Sequence, residues 1–176
     1  MHSYFRQIGL SELDKRLQAE TDFYEAPAST RFHGAVKGGL ASHSMAVAAL
    51  LNRWTDRLGL VWKDKRSPLL IGLLHDICKI DTYEEYTDED GNKRWRYKDT
   101  AIERDHGRRS VWLLEHTFGL KLTDEERACI HYHMGSWTKD IDESMGDLNY
   151  SQMLGQYHNL IWVHTADMYA SQILEK

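Results

Sequence analysis

The chain has 176 residues, 41% of them hydrophobic, and only two prolines, which suffices for one core and is short for two domains, so a single domain over residues 1–176 is expected. Lysine and arginine total 22 against 27 aspartates and glutamates, and the net charge of −5 does not suggest a broad phosphate-binding surface for long nucleic acid while leaving room for a small anionic ligand. Cys78 and Cys129 cannot make a disulfide framework, no apolar run approaches a membrane span, and the opening MHSYFRQIGL carries no basic-then-apolar leader, so the expected setting is a reducing cytoplasm without membrane attachment.

Helical periodicity runs through most of the chain. Ser11 is the expected cap of a first helix through Leu13 and Leu17 towards Phe23. A loop marked by Pro27, Gly34, Gly38 and Gly39 leads to a helix from Leu40 to about Leu58, where Met45, Val47, Ala48, Leu51 and Trp54 line one side and Gly59 can close it. His43 falls in its first turn. Ser67-Pro68 reads as an N-cap followed by proline at the first helical position, starting a helix from Leu69 to Cys78 that is apolar all round and therefore central. From Asp81 to Thr100 the pattern changes to aromatics flanking an Asp-Gly turn, as in a small hairpin or ordered loop. Helices resume from Asp105 to Phe118, closed by Gly119, then from a capping box of Thr123 and Glu126 to HYHMG, and finally from about Leu154 to Leu174. The expected fold class is all-α, a helical bundle with one small hairpin insertion.

The stretch GLLHDICKI at 72–80 puts an imidazole and a carboxylate side by side at the end of that apolar helix. A buried carboxylate needs a cation, because desolvating it alone costs several kcal/mol. Ten histidines is a high count for this length, and His43, His75, His106, His131, His133 and His164 all fall where the pattern predicts a core. A single buried histidine is ordinarily a hydrogen-bonding residue of the core. The ordered series His43, His75-Asp76, His106, His133, Asp167 places imidazoles and carboxylates near the ends of separate helices, and these are the donors that bind Mn, Fe, Co, Ni or Zn.

These residues resemble a known family, the HD-domain metal-dependent phosphohydrolases. The resemblance rests on GGLASHS at 38–44, LLHDICK at 73–79 and the aspartate of HTADMYA at 164–170, and it covers nearly the whole chain. It implies a helical bundle in which His43, His75, Asp76 and Asp167 bind a first divalent ion. DHGRRSVWLLE at 105–115 and CIHYHMG at 129–135 resemble the extra motifs of the two-metal branch, which implies that His106 and His133 bind a second ion with Asp76 bridging. His131 is the rival of His133. On a continuous helix their side chains would point about 200° apart, and the Met-Gly after His133 matches the family context and favours it. His164, three residues before Asp167, is a candidate second-layer or substrate contact.

Cys78 stands where the family commonly has glycine, and a small buried packing residue is favoured there over a soft ligand or a reactive thiol. Lys79 keeps its place; it is either a cation at a helix C-terminus or, as the resemblance implies, a phosphate contact, and with Asp76 it is assigned a catalytic role. Arg108 and Arg109 could clamp a phosphate or form a solvated helix side. Glu103 has Glu-x-x-His spacing to His106 but stands as a single copy and stays outside the set, while Cys129 is expected to pack. The implied activity is hydrolysis of a phosphoester of a small, nucleotide-like metabolite, with one or two divalent ions as cofactor. FHGAVKGGLASHS also resembles the HD domain of bacterial 3′–5′ exoribonucleases, which carry a nucleic-acid-binding domain not seen here. Mixed-valence di-iron oxygenases of the wider superfamily are the alternative, and a sensor domain without catalysis is disfavoured by the complete ligand set.

Overall fold

A computed structural model of the chain describes residues 1–100, 106–137 and 149–175. Among these residues there are eight α-helices: α1 (His2–Gln7), α2 (Ser11–Glu20), α3 (Gly39–Leu58), α4 (Ser67–Leu74), α5 (His106–Trp112), α6 (Asp124–His131), α7 (Tyr150–Gln156) and α8 (Leu160–Tyr169). One antiparallel hairpin, β1 (Tyr83–Thr87) and β2 (Lys93–Tyr97), stands between α4 and α5, with Tyr83 opposite Tyr97 and Thr87 opposite Lys93. Its turn forms because the Asp88 carboxylate accepts from the backbone N–H of Asp90 and Asn92. The all-α expectation with a hairpin insertion is therefore met. No helix among the described residues is long and apolar enough to cross a membrane.

The core is one continuous apolar cluster from Phe5 through Leu17, Leu40, Leu51 and Leu73 to Ile130, Leu160 and Val163. At its centre lies α4, all eight residues of which are buried, as its uninterrupted apolar sequence requires. Two glycines let the site-bearing helices approach closely. A Cβ on Gly72 would come within 2.3 Å of the Ala48 Cα, so α4 packs directly against α3 and carries His75 towards His43. A Cβ on Gly107 would come within 1.9 Å of the His131 carbonyl oxygen, so α5 meets the end of α6 and brings His106 towards His133.

Several local expectations are corrected. Ser11 is the first residue of α2 rather than its cap, and Leu10 holds the cap position without a side-chain bond. Ser67 is likewise inside α4, and its hydroxyl donates to Glu126 at 3.0 Å instead of capping. The α4 helix ends at Leu74; a turn at His75-Asp76 and a 3₁₀ turn at Ile77–Lys79 follow, so the bend lifts the His-Asp pair out of the apolar helix. The last predicted helix is two, broken where Tyr157 takes φ −127° and ψ 83°, and then α8 loosens into a wider π-type winding from Ala170 to Leu174. Met45, expected on the apolar side of α3, is exposed. The Thr123–Glu126 capping box and the left-handed Gly59 cap form as expected. The start of the helix expected from Asp105 lies outside the described residues; from His106 it runs through α5 and continues as a wide turn over Leu113–Thr117.

Candidate metal centre

Five side chains from four places in the chain converge in the core. The His43 Nε2 of α3 lies 3.1 Å from Asp167 Oδ1 on α8 and 3.3 Å from His75 Nε2 after α4. Asp76 places its two oxygens on different sides: Oδ2 is 3.8 Å from His43 Nε2 and 3.6 Å from His75 Nε2, while Oδ1 is 3.5 Å from His133 Nε2. His43, His75 and His133 are fully enclosed, Asp76 is 2% exposed, and the Asp167 side chain is 13% exposed. The half-buried His106 approaches Asp76 and Cys78 to within 4.8 Å through its ring nitrogen.

Each histidine is oriented by its other nitrogen. His75 Nδ1 donates to the Gly72 carbonyl at 3.0 Å and His133 Nδ1 to the Ile130 carbonyl at 2.7 Å, since a carbonyl can only accept. His43 Nδ1 donates to Glu175 at 2.9 Å. In all three the Nε2 atom is left turned inwards, the arrangement by which an outer partner fixes the tautomer of a metal-ligating imidazole.

The electrostatics follow from burial opposed by charge pairing. Burial without enough compensation lowers the His75 pKa to about 4. Burial also opposes charge on His43, but its hydrogen bonds to Asp167 and Glu175 outweigh this and raise it to about 9. Burial likewise works against a charged Lys79, yet its ammonium sits 2.6 Å from Asp76 Oδ2 and its pKa is raised. Asp76 is driven the other way: burial alone would raise its pKa, but Lys79, His75 and His133 hold it well below the ordinary carboxylate range. The pKa of the buried Cys78 thiol is pushed up to about 12, which keeps it protonated.

The donor set fits a divalent ion on two observations. Asp76 Oδ1 and His133 Nε2 are enclosed, face each other, and have no hydrogen-bond partner, which is costly for polar atoms unless something else satisfies them. Donors about 2.0–2.2 Å from a shared ion lie about 3–3.5 Å from one another, close to the shorter separations here. Three overlapping groups could hold ions: His43 with His75 and Asp167; His75 with Asp76 and His133; and Asp76 with Cys78 and His106.

The remaining candidates separate clearly. His131 is fully buried with its ring edge-on to Tyr132 and belongs to none of these groups, because α6 ends at His131 and the chain turns before His133. His164 does not join the groups either; its Nδ1 donates to the His133 carbonyl at 2.8 Å and so anchors that residue's backbone. Arg108 is exposed on α5, and the half-buried Arg109 is near enough for its charge to act on Cys78. Lys79 closes the 3₁₀ turn Ile77–Lys79 that follows α4, and its ammonium lies 2.6 Å from Asp76 Oδ2. Glu103 lies outside the described residues. Sequence reasoning missed His33 and Glu175, which form a further group with His43. His33 stood inside the quoted FHGAVKGGLASHS, whereas nothing in the periodicity of the C-terminal segment marks Glu175.

Among the described residues this is a helical domain whose buried histidines and aspartates, brought together from separate elements, could hold a divalent metal. The HD-domain family model matches residues 40–171, and the chain belongs to the HD-domain family, within the metal-dependent phosphohydrolase superfamily. Comparison with curated proteins and with solved structures returns no match.

Proposed function

We propose that the protein is a metal-dependent phosphohydrolase that cleaves a phosphoester of a small nucleotide or related metabolite. The observation that carries this is the division of the Asp76 oxygens, one towards His43 and His75 and the other towards His133, inside a cage with unpaired donor atoms. His43, His75, Asp76 and Asp167 would hold one ion, and His106 and His133 would hold a second with Asp76 between them. A divalent ion at such a site supplies Lewis acidity towards a phosphoryl oxygen and lowers the pKa of water from 15.7 to about 7.

The protein's own contribution is placement and charge. The cage fixes its Nε2 atoms by hydrogen bonds behind each ring, so little reorganisation is needed when a substrate arrives. Lys79 borders the cage, 8% exposed, with its ammonium held by Asp76, and can offer a second contact to phosphoryl oxygens as they gain charge. The net charge of −5 favours a small substrate over long nucleic acid.

The test is a screen of purified, metal-loaded protein against phosphomonoesters, phosphodiesters and nucleotides. Hydrolysis that requires the divalent ion and disappears in Asp76→Ala is expected, read as free phosphate from a monoester or as the monoester and alcohol products from a diester. On the best substrate, Lys79→Met should lower kcat by about 10²–10³ while the metal stoichiometry stays the same. Iron content accompanied by oxygen consumption, with no phosphoester turned over, would instead favour the oxygenase alternative.

A further inference from the structure

The three caged histidines differ in what stands behind them. His75 and His133 each bond a backbone carbonyl three residues earlier, a partner that comes with the local turn. His43 has no such partner. Its Nδ1 is met by a carboxylate from 132 residues further along the chain, Glu175 Oε1 at 2.9 Å, and the two side chains are 0% and 13% exposed. A carboxylate is a stronger acceptor than a carbonyl and adds negative charge behind the ring.

The surroundings hold Glu175 in this position. The loop before α3 passes directly over it: a Cβ on Gly34 would lie 3.5 Å from Glu175 Oε2, and the His33 ring packs 4.9 Å from that of His43. His33 Nε2 and Glu175 Oε2 are enclosed without hydrogen-bond partners. His33, His43 and Glu175 thus have donor atoms within 4.8 Å of one another. A separate ion in that group is disfavoured, because His43 Nδ1 is already committed to Glu175 while its Nε2 faces Asp167 and His75.

We infer that Glu175 is a positioning residue, which holds His43 through Nδ1 so that Nε2 stays turned into the cage. This rests on reading the cage as a metal site. It also makes the docking of the C-terminal segment a condition for a well-formed site.

The experiment compares Mn²⁺ binding by calorimetry in the wild-type chain, Glu175→Ala, Glu175→Gln and His43→Ala, with histidine ¹H–¹⁵N spectra of each metal-free protein. Glu175→Ala should weaken binding about 10–100-fold without changing stoichiometry and should lose the hydrogen-bonded Nδ1–H signal of His43. Glu175→Gln, whose carbonyl oxygen still accepts, should recover most of both. Wild-type affinity and an unchanged spectrum in Glu175→Ala, with metal lost in His43→Ala, would overturn the positioning role alone. Unchanged binding in His43→Ala would overturn the metal reading and this inference with it. Loss of a whole equivalent in Glu175→Ala would make Glu175 a ligand of a separate site, also overturning the inference.

Discussion

The two ends of α4 bury the same kinds of groups with opposite results. At its start, Glu126 accepts from the Ser67 hydroxyl, from Arg66 and from the Thr123 backbone, while the neighbouring Glu125 accepts from the Lys63 backbone and Asn159. Both oxygens of both buried carboxylates are satisfied by the protein itself. At the far end, Asp76 and His133 are as deeply buried, yet Asp76 Oδ1 and His133 Nε2 face each other with no hydrogen-bond partner. Burial of charge is thus no mark of a site in this molecule. Enclosed donors left unpaired and aimed at one point are the distinguishing feature, since folding tolerates them only where an outside group completes the set.

The largest effect expected from breaking this contrast is at Asp76. Asp76→Ala should weaken divalent-ion binding by more than about 100-fold, beyond what the loss of an outer partner produces. A wild-type chain with the ion at 100 times its Kd should gain about 2.7 kcal/mol of stability, and the variant at the same ion concentration should gain less than about 0.4 kcal/mol. Thermal melts with and without added metal read this directly. Undiminished stabilisation by metal in the variant would place the ion elsewhere.

The reciprocal change is Glu126→Ala. It removes the Glu126 half of the capping box, takes the acceptor from the buried Ser67 hydroxyl and leaves Arg66 with Asp64 as its remaining carboxylate, at a cost of about 2–4 kcal/mol. The melting temperature should fall while metal affinity and stoichiometry stay at wild-type values. If this variant lost its metal, the two clusters would have to be one cooperative unit.

Much of this arrangement was legible in the sequence because its causes are local. The capping box at Thr123 and Glu126, the Gly59 cap, the Asp-Gly hairpin turn and the all-apolar α4 depend on residues a few positions apart. His75 and Asp76 announced themselves as polar residues closing an apolar run. What could not be read depends on distant partners. Ser67 looked like a cap, but a carboxylate from α6 claims its hydroxyl. The break at Tyr157 and the end of α4 at Leu74 are set by backbone turns that the spacing of apolar residues does not mark. The choice between His131 and His133 turned on where α6 stops, a matter of one turn. Glu175 had no local signal at all, its partner being 132 residues away.

Acidity offers a milder test, carried out on chelator-treated protein. The buried His75, lowered to about 4, is neutral where an unfolded histidine of pKa 6.5 already takes a proton. Its contribution to stability is therefore complete above pH 6.5 and is lost as pH falls towards 4. His43, raised to about 9, behaves in the opposite sense: its contribution is complete below pH 6.5 and is lost as pH rises through 9. Each limb is worth on the order of 1–3 kcal/mol, and together they put the stability maximum of these two groups near neutrality. Urea denaturation across this range should show both limbs. Stability that climbs steadily to alkaline pH would remove the His43 pairing with Asp167 and Glu175 as a cause.

The smallest effect is expected at His164, on the border of the cage. Its Nδ1 donates at 2.8 Å to the carbonyl of His133, the residue that follows the turn at the end of α6, where backbone carbonyls lack helical partners. The bond ties α8, which also carries Asp167, to the segment that carries His133. It holds backbone, however, and not the imidazole itself. His164→Ala should therefore cost about 0.5–1.5 kcal/mol of stability and weaken metal binding by less than the roughly 10-fold floor for a direct outer partner. A loss of one metal equivalent would promote His164 to a ligand beside Asp167 on α8. Unchanged stability together with unchanged affinity would show that the contact is incidental, and that the Ile130 carbonyl alone suffices to aim the ring of His133.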